Sequence, residues 1–244
     1  MLTGTEPHVQ RARRASATAA CTKNRYYRRS RLSERKFREI LRCFSIDLTA
    51  TNTAILTGVS VRSINSIFLK VRSRIARYCE QTSVFNKQGA GRDCQNPANI
   101  NPQPGLCNDR VPVLFGLTEN NGRISTEMVT LCATSTLRDL VHGHANLTDL
   151  FSQQDWISRY DVLIDLDHQR YFRLQWPDSP CPRITSTAAG VEVFWGFAKH
   201  RLHQFRGIHR ATINLHMIET EFRFNHRREA LQSKLLGMLR DRPL

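Results

Sequence analysis

Acidic side chains are in short supply here: 21 Asp and Glu stand against 36 Lys and Arg in 244 residues, leaving a formal net charge of +15 and a pI near 10.2. That balance argues against an ordinary enzyme of small metabolites, so no small-molecule substrate is expected. It suits a polyanion, because each Lys or Arg that neutralises a phosphate also releases a counterion. On charge alone RNA or an anionic membrane surface would serve as well as DNA. Long apolar runs are missing too. None approaches the ~20 residues that span a bilayer, so no membrane partner is expected. The N-terminus has no apolar signal core, since Arg11, Arg13 and Arg14 lead into Ala, Ser and Thr; a transit peptide would share that basic start. Paired cysteine motifs are absent. The seven cysteines are scattered with no C-x-x-C among them, which removes the spacing of a zinc ribbon or redox pair and suits reduced cytosolic thiols. No H-E-x-x-H occurs, and the dispersed histidines, His142 with His144 and His200 with His203 included, suit solvent or phosphate better than a metal.

What is present divides into segments. Residues 1–31 read as a basic, disordered extension. It ends in Lys23-Asn-Arg-Tyr-Tyr-Arg-Arg-Ser-Arg31, where Arg25, Arg28 and Arg29 would meet DNA phosphates and the tyrosines sugars or bases; a solvated tail is the alternative. Residues 32–80 are helical. Ser33 caps a helix with Phe37, Ile40, Leu41 and Phe44 on one face. A second helix starts near Leu48 and turns at Gly58, and Ser60 caps a third with Ile64, Ile67, Phe68, Val71 and Ile75 inward. The other face of the third helix carries Arg62, Ser63, Asn65, Ser66, Lys70 and Arg72. Two helices about a Gly turn, the second with a basic outer face, form a helix-turn-helix pattern whose second helix enters the major groove. Arg62 and Asn65 can make two-pronged contacts to purines. A plain three-helix bundle is the bland reading.

Residues 81–110 form a linker dense in Gly, Pro and Asn, unsuited to a regular strand. Beyond it, Val113–Leu117 and Arg123–Val129 flank Asn120-Asn-Gly122, a hairpin signal. Ser135–Val141 reads as a helix, and Leu147–Phe151 and Tyr171–Trp176 as strands. In the helix from Gly190 to Phe205, Val191, Phe194, Trp195, Ala198, Leu202 and Phe205 recur at helical spacing. Glu192 and Lys199 share its other side, about 10 Å apart along the axis. Two more helices follow, Thr212–Asn225 with Ile213, Met217 and Phe224 on one side, then one with Leu231, Leu235, Met238 and Leu239.

Gly190-Val-Glu-Val-Phe-Trp-Gly-Phe-Ala-Lys199, followed by Phe205-Arg-Gly-Ile208 and Glu219-Thr-Glu-Phe-Arg-Phe-Asn-His-Arg227, resembles the C-terminal signature of bacterial DDE insertion-sequence transposases with an ISXO-like domain. The family patterns are roughly G-I-E-S-F-W-(S/G)-x-x-K and E-F-x-F-R-F-N-x-R, and from Lys23 onward most segments can be laid against the family. The resemblance implies an α/β chain: the N-terminal helix-turn-helix bundle, then an RNase H-like mixed-sheet catalytic domain over residues 111–244. It implies two Mg²⁺ (or Mn²⁺) ions held by Asp93, Asp155 and Glu192, with Lys199 against DNA near the scissile phosphate. Hard cations prefer carboxylate oxygens, and such a pair serves in-line displacement. It also implies double-stranded DNA as partner, both element ends and target, a homo-oligomer on that DNA, and a cytoplasmic, nucleoid-associated location. The chain departs from the pattern at three places. Asp93 alone remains of D-E-S-Y-F-G, and reaches register only with one inserted residue. Trp156 replaces the glycine of D-G-W-x-x-Y, and Thr187-Ala-Ala-Gly190 replaces H-I-N-G. These losses favour an alternative: a degenerate copy that binds DNA without cutting.

Overall fold

The computed structural model describes residues 24–85, 113–129, 160–166, 169–174, 188–205 and 208–244. The readings that fall on residues 1–22, on the linker with Asp93, on Ser135–Val141, on Leu147–Phe151 and on Asp155-Trp156 lie outside them. Among the described residues the chain is mixed α/β, with six helices and one four-stranded antiparallel sheet. No single helix there is long and apolar enough to cross a membrane.

Three helices come first: α1 (Glu34–Ser45), α2 (Ala50–Thr57) and α3 (Val61–Thr82). Each begins on a hydroxyl cap, Ser33, Thr49 and Ser60 accepting from the backbone amides of Lys36, Asn52 and Ser63. Such caps satisfy otherwise orphaned N–H groups and are worth about 1 kcal/mol each. The cap at Thr49 starts α2 two residues later than Leu48. Gly58 ends α2 with φ 68°, its N–H reaching the Ala54 carbonyl, a left-handed turn that favours glycine. The three residues 58–60 then redirect the chain, and α3 leaves at a bend of 119° to α2.

The sheet runs β2-β1-β3-β4, from β1 (Leu114–Asn120), β2 (Arg123–Val129), β3 (Val162–Asp165) and β4 (Arg170–Arg173). Asn120 pairs with Arg123 across Asn121 and Gly122, both at positive φ, the signature of a type I′ hairpin. Every pair in the sheet is antiparallel. β3 and β4 are joined by only the residues 166–169, too few for a parallel crossover; the parallel neighbours that the expected mixed sheet needs are not among the described strands, and the expected strand at Leu147–Phe151 lies outside them. Tyr171–Trp176 is represented by β4, and its partner β3 was not expected.

α4 (Ala188–Gln204) and α5 (Arg210–Asn225) pack on the sheet, and α6 (Leu231–Asp241) packs on α1. There are two apolar clusters. One joins Phe115, Leu117 and Ile124 of the sheet to Val191, Phe194, Trp195 and Ala198 of α4 and to Met217 and Phe224 of α5, the α4 stripe as expected. The other fills the α1–α3 bundle and includes Phe222, Leu235 and Leu239. A boundary at residue 80 therefore does not separate two cores, since α5 and α6 complete the first bundle. The basic arm is part of it as well. Tyr26 is 1% exposed and stacks on Phe37, and the amides of Arg28 and Leu244 bond to the carbonyls of Leu244 and Tyr26 at 3.0 and 2.9 Å. Residues 24–27 are thus packed on the bundle rather than disordered, because the Tyr26 ring gains more by burial than by solvation, while the arginines around it stay exposed.

Leu235→Ala tests the shared core. It should cost about 2–5 kcal/mol in urea unfolding, and hydrogen exchange should show amides of α3 losing protection along with those of α6; an α3 left fully protected would mean an autonomous bundle.

Candidate nucleic-acid interface and the helices behind it

Helix α3 divides its residues cleanly. Ile64, Ile67, Phe68 and Val71 are buried, while Arg62, Ser63, Asn65, Ser66 and Lys70 are exposed on the other side. Two of the five are already engaged. Ser63 accepts from the Ser60 hydroxyl at 2.9 Å, within the cap. Lys70 donates to the Tyr27 hydroxyl at 2.9 Å and sits 4.7 Å from that ring's centre, so the arm fixes the direction of the ammonium group. Arg25 pairs with Glu34 at 3.0 Å, and Arg28 and Arg29 are exposed. Tyr26, whose hydroxyl accepts from Arg38 at 2.9 Å, faces the core and is not placed to meet a base.

Arg72 does not belong to this outer face. It is 9% exposed, because position 72 lies one turn beyond Phe68 and before Ile75, on the inward side. Its Nε donates to Glu219 Oε2 at 2.7 Å. Glu219, on α5 and wholly buried, also takes Arg201 of α4 and Arg223 of α5, each at 2.7 Å. Arg201 reaches on to both Asp47 oxygens, at 2.8 and 3.0 Å, and to the Thr220 hydroxyl at 2.7 Å. Arg223 donates to the carbonyls of Phe44 and Ser45, at the end of α1. Burial works to raise the Glu219 carboxyl, but Arg201, Arg223 and Arg72 outweigh it and hold the group well below the usual carboxylate range. Sequence reasoning missed this cluster. The one available signal was the inward phase of Arg72.

The neighbouring residues of the same segment bind the sheet. Glu221 accepts from the Thr126 amide and hydroxyl, both at 2.8 Å, and the Asn225 amide group spans the N–H and C=O of Ile124 at 2.9 and 2.7 Å. The motif Glu219-Thr-Glu-Phe-Arg-Phe-Asn225 is accordingly a two-sided clamp, with Glu219 and Arg223 toward the α1–α3 bundle and Glu221 and Asn225 toward β2. Burial pushes the Glu221 carboxyl up to about 7, and pushes His216, aided by Arg72, down to about 4.

Of the four residues expected at a cutting centre, Glu192 and Lys199 are described. Both are exposed on α4, away from its apolar stripe. Glu192 pairs with Arg173 of β4 at 3.2 Å, and Lys199 lies over the Trp195 ring at 5.5 Å. Asp93 and Asp155 are outside the described residues. Tyr160, five residues after Asp155, lies against Gly116 where a Cβ would collide with its ring, and donates to Glu127 at 2.8 Å. Near the start of α4, the Glu119 carboxylate rests against Gly190 in the space a side chain would need. Asp161 accepts from the Thr118 hydroxyl and the Glu119 amide at 2.8 and 2.9 Å. Burial, then Asp161, raises the Glu119 carboxyl. Among the described residues no three His, Cys, Asp or Glu groups converge to hold a metal ion. No protein-family model, curated protein or solved structure matches this chain.

Two predictions follow from the buried charges. Glu219→Gln removes the carboxylate that three guanidiniums share, leaving Asp47 as the acid for Arg201 and Arg223 and none for Arg72, and should cost about 3–5 kcal/mol, measured by denaturant midpoint. The second concerns pH. Glu221 protonates more readily in the folded state than its ordinary 4.5, so its contribution to stability is present below pH 4.5 and lost as pH rises through about 7. His216 behaves oppositely: its contribution is present above 6.5 and lost as pH falls toward about 4. Each amounts to roughly 3 kcal/mol by the pKa conversion, and across pH 5–7 they offset. Thermal melts should therefore show Glu221→Gln losing stability on acidification from pH 7 to 5 and His216→Gln gaining it.

Proposed function

We propose that this chain is a DNA transposase of the DDE insertion-sequence kind, which binds the terminal inverted repeats of its element and cuts and joins DNA strands. One observation carries the DNA-binding half. α2 and α3 meet at 119° about Gly58, and α3 turns an exposed row of Arg62, Asn65, Ser66 and Lys70 to solvent on a chain of net charge +15. An angle of about 90–120° with a short Gly-bearing turn is the geometry that seats a second helix in the major groove. Arg62 and Asn65 would read purine edges, while Lys70, Arg28 and Arg29 would contact phosphates.

The cutting half rests on the resemblance of the Gly190–Lys199 and Glu219–Arg227 segments to the ISXO-like transposases. Asp155 and Glu192, with Asp93, would hold two Mg²⁺ or Mn²⁺ ions, which when bound activate an attacking oxygen and stabilise the leaving one. Lys199 would orient the backbone beside Glu192, and the helix that bears both is tied through Arg201 to the helix that carries the reading face. Paired-end cutting would require at least a dimer on the DNA, acting in the cytoplasm at the nucleoid.

A second reading, a copy that binds the ends without cutting, is favoured by a specific observation. Glu192 faces the guanidinium of Arg173 at 3.2 Å, a cation where a metal ligand wants fellow carboxylates, and Trp156 stands in the glycine position after Asp155.

Gel-shift and strand-cleavage assays on the terminal repeats separate the two. Arg62→Ala and Asn65→Ala should each weaken repeat binding by about tenfold or more, the worth of a two-pronged base contact. Glu192→Gln should abolish Mn²⁺-dependent cleavage with binding retained. A wild-type protein that binds but never cuts establishes the second reading, and one that ignores repeat DNA removes both.

A further inference from the structure

Between the C-terminal half of α3 and α6 lies a cavity of about 410 Å³. Its walls are strongly cationic. Arg74 and Arg77 come from α3, Lys234 from α6, and Arg242 from just beyond it, against the single acid Asp241; Tyr78, Gln81 and Ser233 add neutral hydrogen-bonding groups. From Lys70 to Arg74 is four residues, about 6 Å along the helix, so the cavity begins where the reading face ends.

The arrangement is incomplete as a purely structural feature. The Arg74 guanidinium donates through Nη2 to the Pro243 carbonyl at 3.1 Å, while its Nε is enclosed and has no hydrogen-bond partner. An enclosed donor without an acceptor is costly. Burial, then Arg77 and Arg242, depress the Arg74 guanidinium, as expected for like charges gathered without an anion between them. Lys234 is held at the rim by Glu229 at 3.1 Å and by the Tyr78 ring at 5.8 Å, whereas Arg77 and Arg242 are exposed. Converging guanidiniums offer planar pairs of donors that match phosphate oxygens.

We propose that this pocket is a phosphate-binding site that takes a phosphodiester of the DNA backbone, at a place beyond the Arg62–Lys70 row of α3. The oxyanion chemistry stands on the pocket alone, while the choice of DNA as its source rests on the proposed DNA-binding function. Bound there, a backbone phosphate would fix how far α3 can roll or slide in the groove without reading sequence.

The full-length chain is tested in two arms. In the first, arginine Nε–Hε resonances are followed by NMR during titration with inorganic phosphate, with chloride at matched ionic strength as control. The Arg74 signal should shift saturably with phosphate, and the shift should vanish in the Arg77→Gln, Arg242→Gln double variant. Should that variant lose its thermal transition, Arg77→Gln alone is read. In the second arm, affinity for repeat DNA is measured against salt. The double variant should lower the log–log slope by about 1–2, at ~0.9 for each phosphate contact removed, with sequence preference unchanged. Absence of a saturable phosphate shift overturns the site. A phosphate shift with an unchanged salt slope overturns the DNA source and assigns the pocket to free phosphate. If the wild type binds no DNA at all, the proposed function fails, and the phosphate arm still decides the pocket.

Discussion

One carboxylate deep in the molecule, that of Glu219, sets the relative positions of almost everything else. Three guanidiniums from α3, α4 and α5 meet it, and Asp47 balances part of the remaining charge. Removing four ionised groups from water, with Asp47 left half-exposed, is expensive, and apolar residues of similar volume would hold helices together as well or better. What such residues would not supply is direction. Arg201 reaches Glu219, Asp47, Thr220 and the His216 carbonyl at once, and that set of distances is met at only one rotation of α4. Because α4 also carries Glu192 and Lys199, and α3 carries the exposed Arg62–Lys70 row, a single buried anion orients both surfaces in one frame.

α5 turns that local requirement into an architecture. Phe222 enters the helical core and Phe224 the sheet core, while Glu219, Glu221, Arg223 and Asn225 around them alternate in the same sense. The segment resembling the family's last signature block therefore has a physical explanation that involves no substrate: its acids, arginine and asparagine saturate backbone and charge on two opposite faces of one helix. The other quoted block differs. Its aromatics lie in the sheet core, but Glu192 and Lys199 are left on the surface, where packing does not require them.

Much of the local structure could be read from the residues. Hydroxyl caps before α1 and α3, the left-handed Gly58, the Asn-Gly hairpin and the α4 stripe all announce themselves through short-range chemistry. What stayed hidden was long-range. The charge of Arg72 suggests the outer face, although its helical phase puts it with Phe68 and Ile75. The arginines around Tyr26 and Tyr27 suggest nucleic-acid contacts, yet Phe37 offers both rings a nearer apolar surface. β3 is four residues long and carries no periodicity of its own. Nothing in residues 32–80 signals that Leu235 and Leu239 will enter their core. Of the candidate site, the α3 face and the common side of Glu192 and Lys199 were legible, since helical phase decides both; Ser63's engagement in its cap and Glu192's pairing with Arg173 depend on tertiary placement that no local pattern records.

The late arrival of α5 and α6 has a consequence for how the molecule is made. A ribosome releases α1–α3 long before it has polymerised Phe222, Leu235 and the Leu244 backbone that closes onto Tyr26. Until that segment emerges, the first bundle lacks part of its interior and Arg72 lacks its counter-ion, so α3 has no fixed platform. Folding must wait for contacts that span nearly the whole length of the chain, a slow, high-contact-order route. An aborted translation product would thus carry every side chain of the exposed row and still present none of them in working order.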